Sequence, residues 1–231
     1  MFVIVWLARR LVLLVLLLAI PAVAGELIAR KLVSDTVGGK VTAQFGGKPS
    51  VDFGSTPLLL QLLRGRVNLS VSEPDASVAG LPPVALHADF ENIRVTSLLG
   101  LHGVIGTVTA HATLGPKGVG RLLLQSGCAG ALPVGMRSAL SAGSRIVIGA
   151  GHMTVLARRG AQRARIVPTA IGGRVAFNVV GASAGSAPPA GGSGCVATLG
   201  GLPFNLSLAS AIADGGVLDL AFTGRGARFS G

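Results

Sequence analysis

Tyrosine is missing from all 231 residues, and tryptophan occurs once, as Trp6. A chain so poor in stacking platforms is badly equipped to hold single-stranded nucleic acid, so no nucleic-acid partner is expected. Acidic residues are scarce too: 9 Asp plus Glu stand against 20 Lys plus Arg, a net charge of +11, and charged residues make up only 13% of the chain. Long solvated helices are therefore excluded as the main structure, and an anionic partner or surface is the natural expectation. Metal motifs are lacking as well. His87, His102, His111 and His152 are isolated, without H-E-x-x-H or a second ligand at helical spacing, so no metal or cofactor is expected.

Cysteine occurs only twice, as Cys128 and Cys195, 67 positions apart and without a C-x-x-C partner. The pair suits one disulfide in an oxidising compartment, with two inert thiols as the alternative. The N-terminus agrees with export. Residues 1–24 read MFVIVWLARRLVLLVLLLAIPAVA: Arg9 and Arg10, an unbroken apolar run from Leu11 to Ile20, then Pro21 and Ala22-Val23-Ala24. Charge, short apolar core and A-x-A make a secretory signal, whereas the apolar MFVIVWL ahead of the arginines would suit an uncleaved, tilted transmembrane anchor. Either reading puts residues 25–231 outside the cytoplasm, in the periplasm or on the outer face of the membrane.

What is present is apolar residues, 50% of the chain, and 35 glycines, enough for one core with many turns. Residues 26–37 place Leu27, Ile28, Leu32 and Val33 on one helical face. Val41 to Phe45 alternates as a short strand. Ser55-Thr56-Pro57-Leu58-Leu59-Leu60-Gln61-Leu62-Leu63-Arg64-Gly65 reads as a two-turn helix capped by Ser55 or Thr56, begun by Pro57 and stopped by Gly65. Its five leucines cover nearly the whole circumference and call for an enclosing environment of protein, lipid or both.

From Arg66 the period becomes two. Val67, Leu69 and Val71 alternate with polar residues up to a break near Pro74; Val84, Leu86, Ala88 and Phe90 then face one way, and Ile93 and Val95 swap parity, as a bulge would make them. Alternating runs follow at Val108–Leu114, around Ile146, Met153, Ala164 and Phe177, and at Leu206–Phe222, with a helix over residues 118–126 and a flexible Gly/Ala/Ser/Pro loop at 181–194. The expected fold is one α+β domain, a long curved, mostly antiparallel sheet with two or three helices, after an N-terminal hydrophobic helix.

Enzyme motifs fail. Gly181-Ala182-Ser183-Ala184-Gly185 matches G-x-S-x-G, but the residues after it cannot open the helix that a nucleophile elbow needs. Asp89 and Glu91 share a strand face with nothing to mark them as an acid/base pair. Arg158, Arg159, Arg163 and Arg165 surround a predicted turn and offer a positive patch to an anionic membrane surface, or simply a solubilising tip.

Val41 to Val95, with its Gly-Gly-Lys-Pro turn, the Pro57–Gly65 helix and the hairpin after it, resembles the LmeA-like phospholipid-binding family of actinobacterial envelopes. Leu202-Pro203-Phe204-Asn205-Leu206 and the Gly216-Val217 strand resemble that family's closing motif. Asn205, where glycine would be expected, the loop before Cys195 and the cysteine pair itself depart from the pattern. The resemblance implies a non-catalytic, envelope-associated phospholipid binder whose curved sheet wraps around one or two helices, as in tubular lipid-binding proteins, and it leaves room for envelope-biosynthesis proteins as partners. Strand parity and the leucine-covered helix nominate Leu59, Leu60, Leu62, Leu63, Val84, Leu86, Phe90, Phe177 and Phe204 around an acyl chain, with Arg64 and Arg66 at its headgroup. The alternative is a membrane-tethered scaffold with a filled core and no ligand.

Overall fold

In the computed structural model, residues 23–35, 38–39, 42, 47–78, 81–97, 102–132, 140, 145–156, 163–183, 194–199 and 202–229 are described. The signal or anchor read over residues 1–24 lies almost wholly outside them, as do most of the strand expected over 41–45, Arg158 and Arg159. Among the described residues no helix is long and apolar enough to cross a membrane.

Alternating hydrophobicity builds two antiparallel sheets where one long sheet was expected. The first is formed by β1 (Ser50–Asp52), β2 (Val67–Ala76), β3 (Val84–Ser97), β4 (His102–Leu114), β10 (Ser207–Asp214) and β11 (Val217–Phe229), in the order β1-β2-β3-β4-β11-β10. The second runs β5 (Arg145–Gly149), β6 (His152–Leu156), β7 (Arg163–Ile171), β8 (Arg174–Ser183) and β9 (Gly194–Ala197) in chain order. Strand β10 packs on β7 and its neighbours, and a lone bridge joins Gly173 to Leu208, so the sheets share a core. Continuation of β8 through Ser183 shortens the loop expected at 181–194, and Ser183, paired with Arg163, belongs to a strand.

The inward positions of β2 to β4 and β11 are buried and, Glu73 on β2 apart, mostly apolar, including Val71, Ala88, Val108, Ala112 and Leu220. Both expected breaks in parity are register shifts, one between Glu73 and Ala76, the other at Asn92, which takes φ 56°. Gly106 sits across from that bulge; a Cβ there would meet the Cβ of Asn92 at 2.9 Å.

Among the described residues, three helices accompany the sheets, and the last of them is the one buried between strands of both. Helix α1 (residues 23–35) turns Ala29 and Val33 toward the core, while Leu27, Ile28 and Leu32 face outward, each more than 60% exposed. Helix α2 (Leu58–Leu63) lies against β2. Helix α3 (Pro116–Gln125) buries Val119, Leu122 and Leu123 between β4, β11 and β5. After α3, Cys128 is disulfide-bonded to Cys195 on β9, which fastens the edge of the second sheet to the α3 region.

Candidate functional site

Two regions flank the β2–β3 hairpin. The first is an apolar chamber on the inner face of the six-stranded sheet. Its floor is Val71, Leu86, Ala88, Phe90, Val108, Ala110, Ala112 and Phe222; its cover is Val78, Leu81 and the segment Leu202-Pro203-Phe204 with Leu206. Three alanines in the middle of the floor leave space that larger side chains would fill. The cover fills most of it: the remaining volume is ≈ 20 Å³, on the scale of one water.

The cover is held differently from the floor. Pro203–Asn205 forms a single 3₁₀ turn with one internal bond, Leu206 N–H to Pro203 O at 3.1 Å. Phe204 rests edge-on against Phe90 with ring centroids 5.4 Å apart. Phe204 and Asn205 have φ 57° and 54°, a left-handed conformation costing a phenylalanine about 1–2 kcal/mol. Asparagine tolerates that region, so Asn205 in place of the expected glycine is conformationally consistent. Gly224 admits the turn, since a Cβ there would meet Phe204 O at 2.8 Å.

The second region is an open polar cleft of ≈ 480 Å³ lined by Phe53, Ser55, Thr56, Gln61, Arg64, Arg66, Asn68 and Asn92. Gln61, the one polar residue within the leucine helix, organises it. The buried side chain donates from Nε2 to Phe53 O and Thr56 O, both at 3.0 Å, and Oε1 accepts Asn68 N–H at 2.8 Å. Asn92 N–H in turn donates to Asn68 Oδ1 at 2.8 Å. These bonds fix α2 to the hairpin and leave Arg64 and Arg66 exposed at the cleft. Gly65, at φ 67°, turns the chain between the two arginines. The cleft and the chamber share strands, with Asn68 and Asn92 at one and Val71 and Phe90 at the other.

Neither Ser55 nor Thr56 caps α2. Pro57 occupies the cap position, and the Glu26 carboxylate reaches across from α1 to accept Leu58 N–H at 2.6 Å and Leu59 N–H at 2.9 Å. Arg30 donates to the same carboxylate. Its guanidinium, then the two amides, hold the Glu26 carboxyl below the usual glutamate range.

Leu86, Phe90 and Phe204, nominated from the sequence, stand around the chamber. The other nominated residues do not. Val84 is a sealed core residue, and Phe177 is buried in the second sheet opposite Cys195. Of the α2 leucines, Leu58 seals the core, Leu62 is half-buried, and Leu59, Leu60 and Leu63 face outward at 36%, 39% and 85% exposure. The short helix lies with one side on β2 and its N-terminal end against α1, and three of its leucines stay on the surface. The floor residues Val71, Val108 and Ala110, the Leu81 cover and the Gln61–Asn68–Asn92 network carry no signal beyond ordinary alternation and polar spacing.

The sheet's outer face is polar. Ser72 Oγ lies 2.8 Å from His87 Nδ1, Ser70 Oγ donates to Asp89 Oδ1 at 2.7 Å, and His87 Nε2 is 3.5 Å from Asp89 Oδ2. His87 and Asp89, two apart on β3, are 52% and 41% exposed, and each is paired across to β2, with Ser72 and Ser70, on a solvated face. Among the described residues no group of His, Cys, Asp and Glu is placed to hold a metal ion.

A family model described as LmeA-like phospholipid-binding matches residues 24–223, which include both the chamber and the cleft. No curated protein and no solved structure matches.

Proposed function

Because the chain belongs to the LmeA-like phospholipid-binding family, we propose that it is a non-enzymatic cell-envelope protein holding an acyl chain in the chamber, with the headgroup at Arg64 and Arg66. Lipid enters by displacing the Leu202–Leu206 cover, since the closed volume is far below the ~300 Å³ of a small ligand pocket. The observation that carries this reading is the contrast between a wholly apolar floor with alanines at its centre and a Leu202–Leu206 cover that only one turn, one aromatic pair and half-buried apolar side chains hold in place. Burying about ten methylenes is worth roughly 8 kcal/mol. Against it stand the ~0.5–1.5 kcal/mol of the Phe90–Phe204 pair and roughly 1 kcal/mol for each of the half-buried Leu202, Phe204 and Leu206 side chains that the lipid displaces, partly offset by relief of the left-handed backbone at Phe204.

The exported protein stays at the outer face of the cytoplasmic membrane or in the periplasm, where it supports envelope lipid or glycolipid biogenesis. The disulfide and the apolar residues 1–24 support that location. A second reading, a tethered scaffold without ligand, is favoured by the nearly filled chamber.

Organic extraction and native mass spectrometry of the purified protein, before and after incubation with phosphatidylglycerol vesicles, separate the two. Bound phospholipid at one copy per chain, lost in Ala110→Phe, supports the lipid binder; lipid-free protein that takes up none leaves the scaffold. Arg64→Ala with Arg66→Ala is expected to weaken uptake of anionic lipid more than that of zwitterionic lipid.

A further inference from the structure

The sequence reading enclosed the leucines of α2; the structure turns three of them out beside a second apolar surface. Leu63 is 85% exposed, and on α1 Val23, Leu27 and Ile28 are each at least 60% exposed. The two helices are joined at this place. Glu26 holds the α2 amides from α1, and Leu59 lies over Gly25, where a Cβ would meet its Cδ1 at 3.6 Å. On a helical wheel Gly25 adjoins the flank carrying Ile28, so Leu59, Leu60 and Leu63 extend the outer apolar arc of α1.

Cations are set among these side chains. Lys31, exposed, falls four residues after Leu27 and three after Ile28 on the same arc; Arg64 and Arg66, also exposed, follow Leu63 directly. Of the α1 carboxylates, Glu26 lies off this arc and is engaged by Arg30 and two amides, while Asp35 stands on the arc at the C-terminal end of the helix, one turn after Lys31, so the cations Lys31, Arg64 and Arg66 outnumber it. Just ahead of α1 the sequence carries the apolar run Leu11–Ile20, so the helix leads from a stretch suited to the bilayer.

We propose that the outer faces of α1 and α2 form a docking surface for an anionic lipid bilayer: Leu27, Ile28, Leu60 and Leu63 enter the interface while Lys31, Arg64 and Arg66 meet the headgroups. A helix pair with exposed leucines bordered by cations has the character of an interfacial element. Docking sets the arginine cleft at the headgroup level, on the same strands as the chamber. The inference rests on the envelope location proposed above, but its test does not depend on lipid being held inside the protein.

The test uses full-length protein carrying Trp6→Phe and, one at a time, Leu63→Trp, Ile28→Trp or the control Ile212→Trp, an exposed apolar site on β10. Vesicles contain phosphatidylglycerol and phosphatidylcholine brominated on the acyl chains. Tryptophan emission at 63 and 28 is expected to shift to the blue and to be quenched by the brominated chains, while that at 212 is not. Removing the anionic lipid, or replacing Arg64 with Gln, should weaken partitioning, by about fivefold per cation at the surface. Quenching at 63 no stronger than at 212 overturns the proposal. So does an emission at 63 already blue-shifted before vesicles are added, which would mean that a second copy or the chain's own N-terminal segment covers the face. Extraction of bound phospholipid reads the chamber separately, so either idea can fail alone.

Discussion

The two sheets solve the same packing problem with different side chains. In the five-stranded sheet, Met153, Ile166 and Phe177 are at most 1% exposed, and a disulfide fastens its edge strand. The six-stranded sheet has Ala88, Ala110 and Ala112 at the corresponding middle of its floor, and a strained turn supplies the bulk they lack. Large inward residues finish a core permanently; small ones leave its completion to whatever covers them. The five-stranded sheet thus provides a fixed base, and the six-stranded sheet is the one in which, under the proposed function, a hydrocarbon tail replaces part of the protein.

Breaking the fixed half should have the largest effect on stability and little on lipid. Cys128→Ala with Cys195→Ala releases a 67-residue separation, expected to cost about 4 kcal/mol. Chemical denaturation measures the loss, and extraction below the transition should still recover phospholipid at the wild-type ratio. Loss of lipid from protein that is still folded would show that the second sheet takes part in binding.

Gln61→Ala acts on the other half. Phe53 O, Thr56 O and Asn68 N–H lose their partner at a largely buried site, expected to cost about 2–3 kcal/mol. Hydrogen exchange should localise the loosening to α2 and the start of β2. A uniform loss across both sheets would contradict the idea that Gln61 fastens only this corner.

Phe204→Ala is expected to lower stability by about 2 kcal/mol, the aromatic pair plus the ring's partial burial, and to speed phospholipid exchange between protein and vesicles. Fluorescent-lipid transfer measures this. Exchange that slows or stops would identify Phe204 as a contact the lipid needs, with the turn no barrier to entry.

These sites were unevenly legible in the sequence. Alternation located the strands, and the changes of parity located the bulges near Pro74 and Asn92, because an extra residue in a strand must move every later side chain to the other face. Partition into two sheets was hidden, since hydrophobic period identifies an inward face but no pairing partner. Helix α2 is marked by its Pro57 and Gly65 boundaries, yet hydrophobicity alone calls for protein, lipid or both around its leucines and does not say which of them meet the protein core. Leu58 and Leu63 are the same residue type, and only the helix's position on β2 separates 0% from 85% exposure. Glu73 shows the converse: it keeps the parity of Val71 on β2 and is buried at 3% exposure, with nothing in its neighbours to announce a buried carboxylate.

The smallest effect concerns how α1 is kept beside the six-stranded sheet, a link the disulfide-fastened half does not need. Glu26 caps α2 only as a carboxylate, because a protonated acid loses the charge that favours the Arg30 and amide bonds. Its pKa is lowered in the folded protein, first by the Arg30 hydrogen bond and then by the amides of Leu59 and Leu58. The folded state therefore binds fewer protons than the unfolded one at acid pH. Stabilisation from the cap is complete above the ordinary glutamate value and is lost as the pH falls through the lowered one. Exchange protection of the Leu58 and Leu59 amides should decline over that acid window in the wild type, and should be low at every pH in Glu26→Gln. Amides that stay protected in acid, or in the variant, would mean that packing of Ala29 and Val33 holds α1 without the carboxylate.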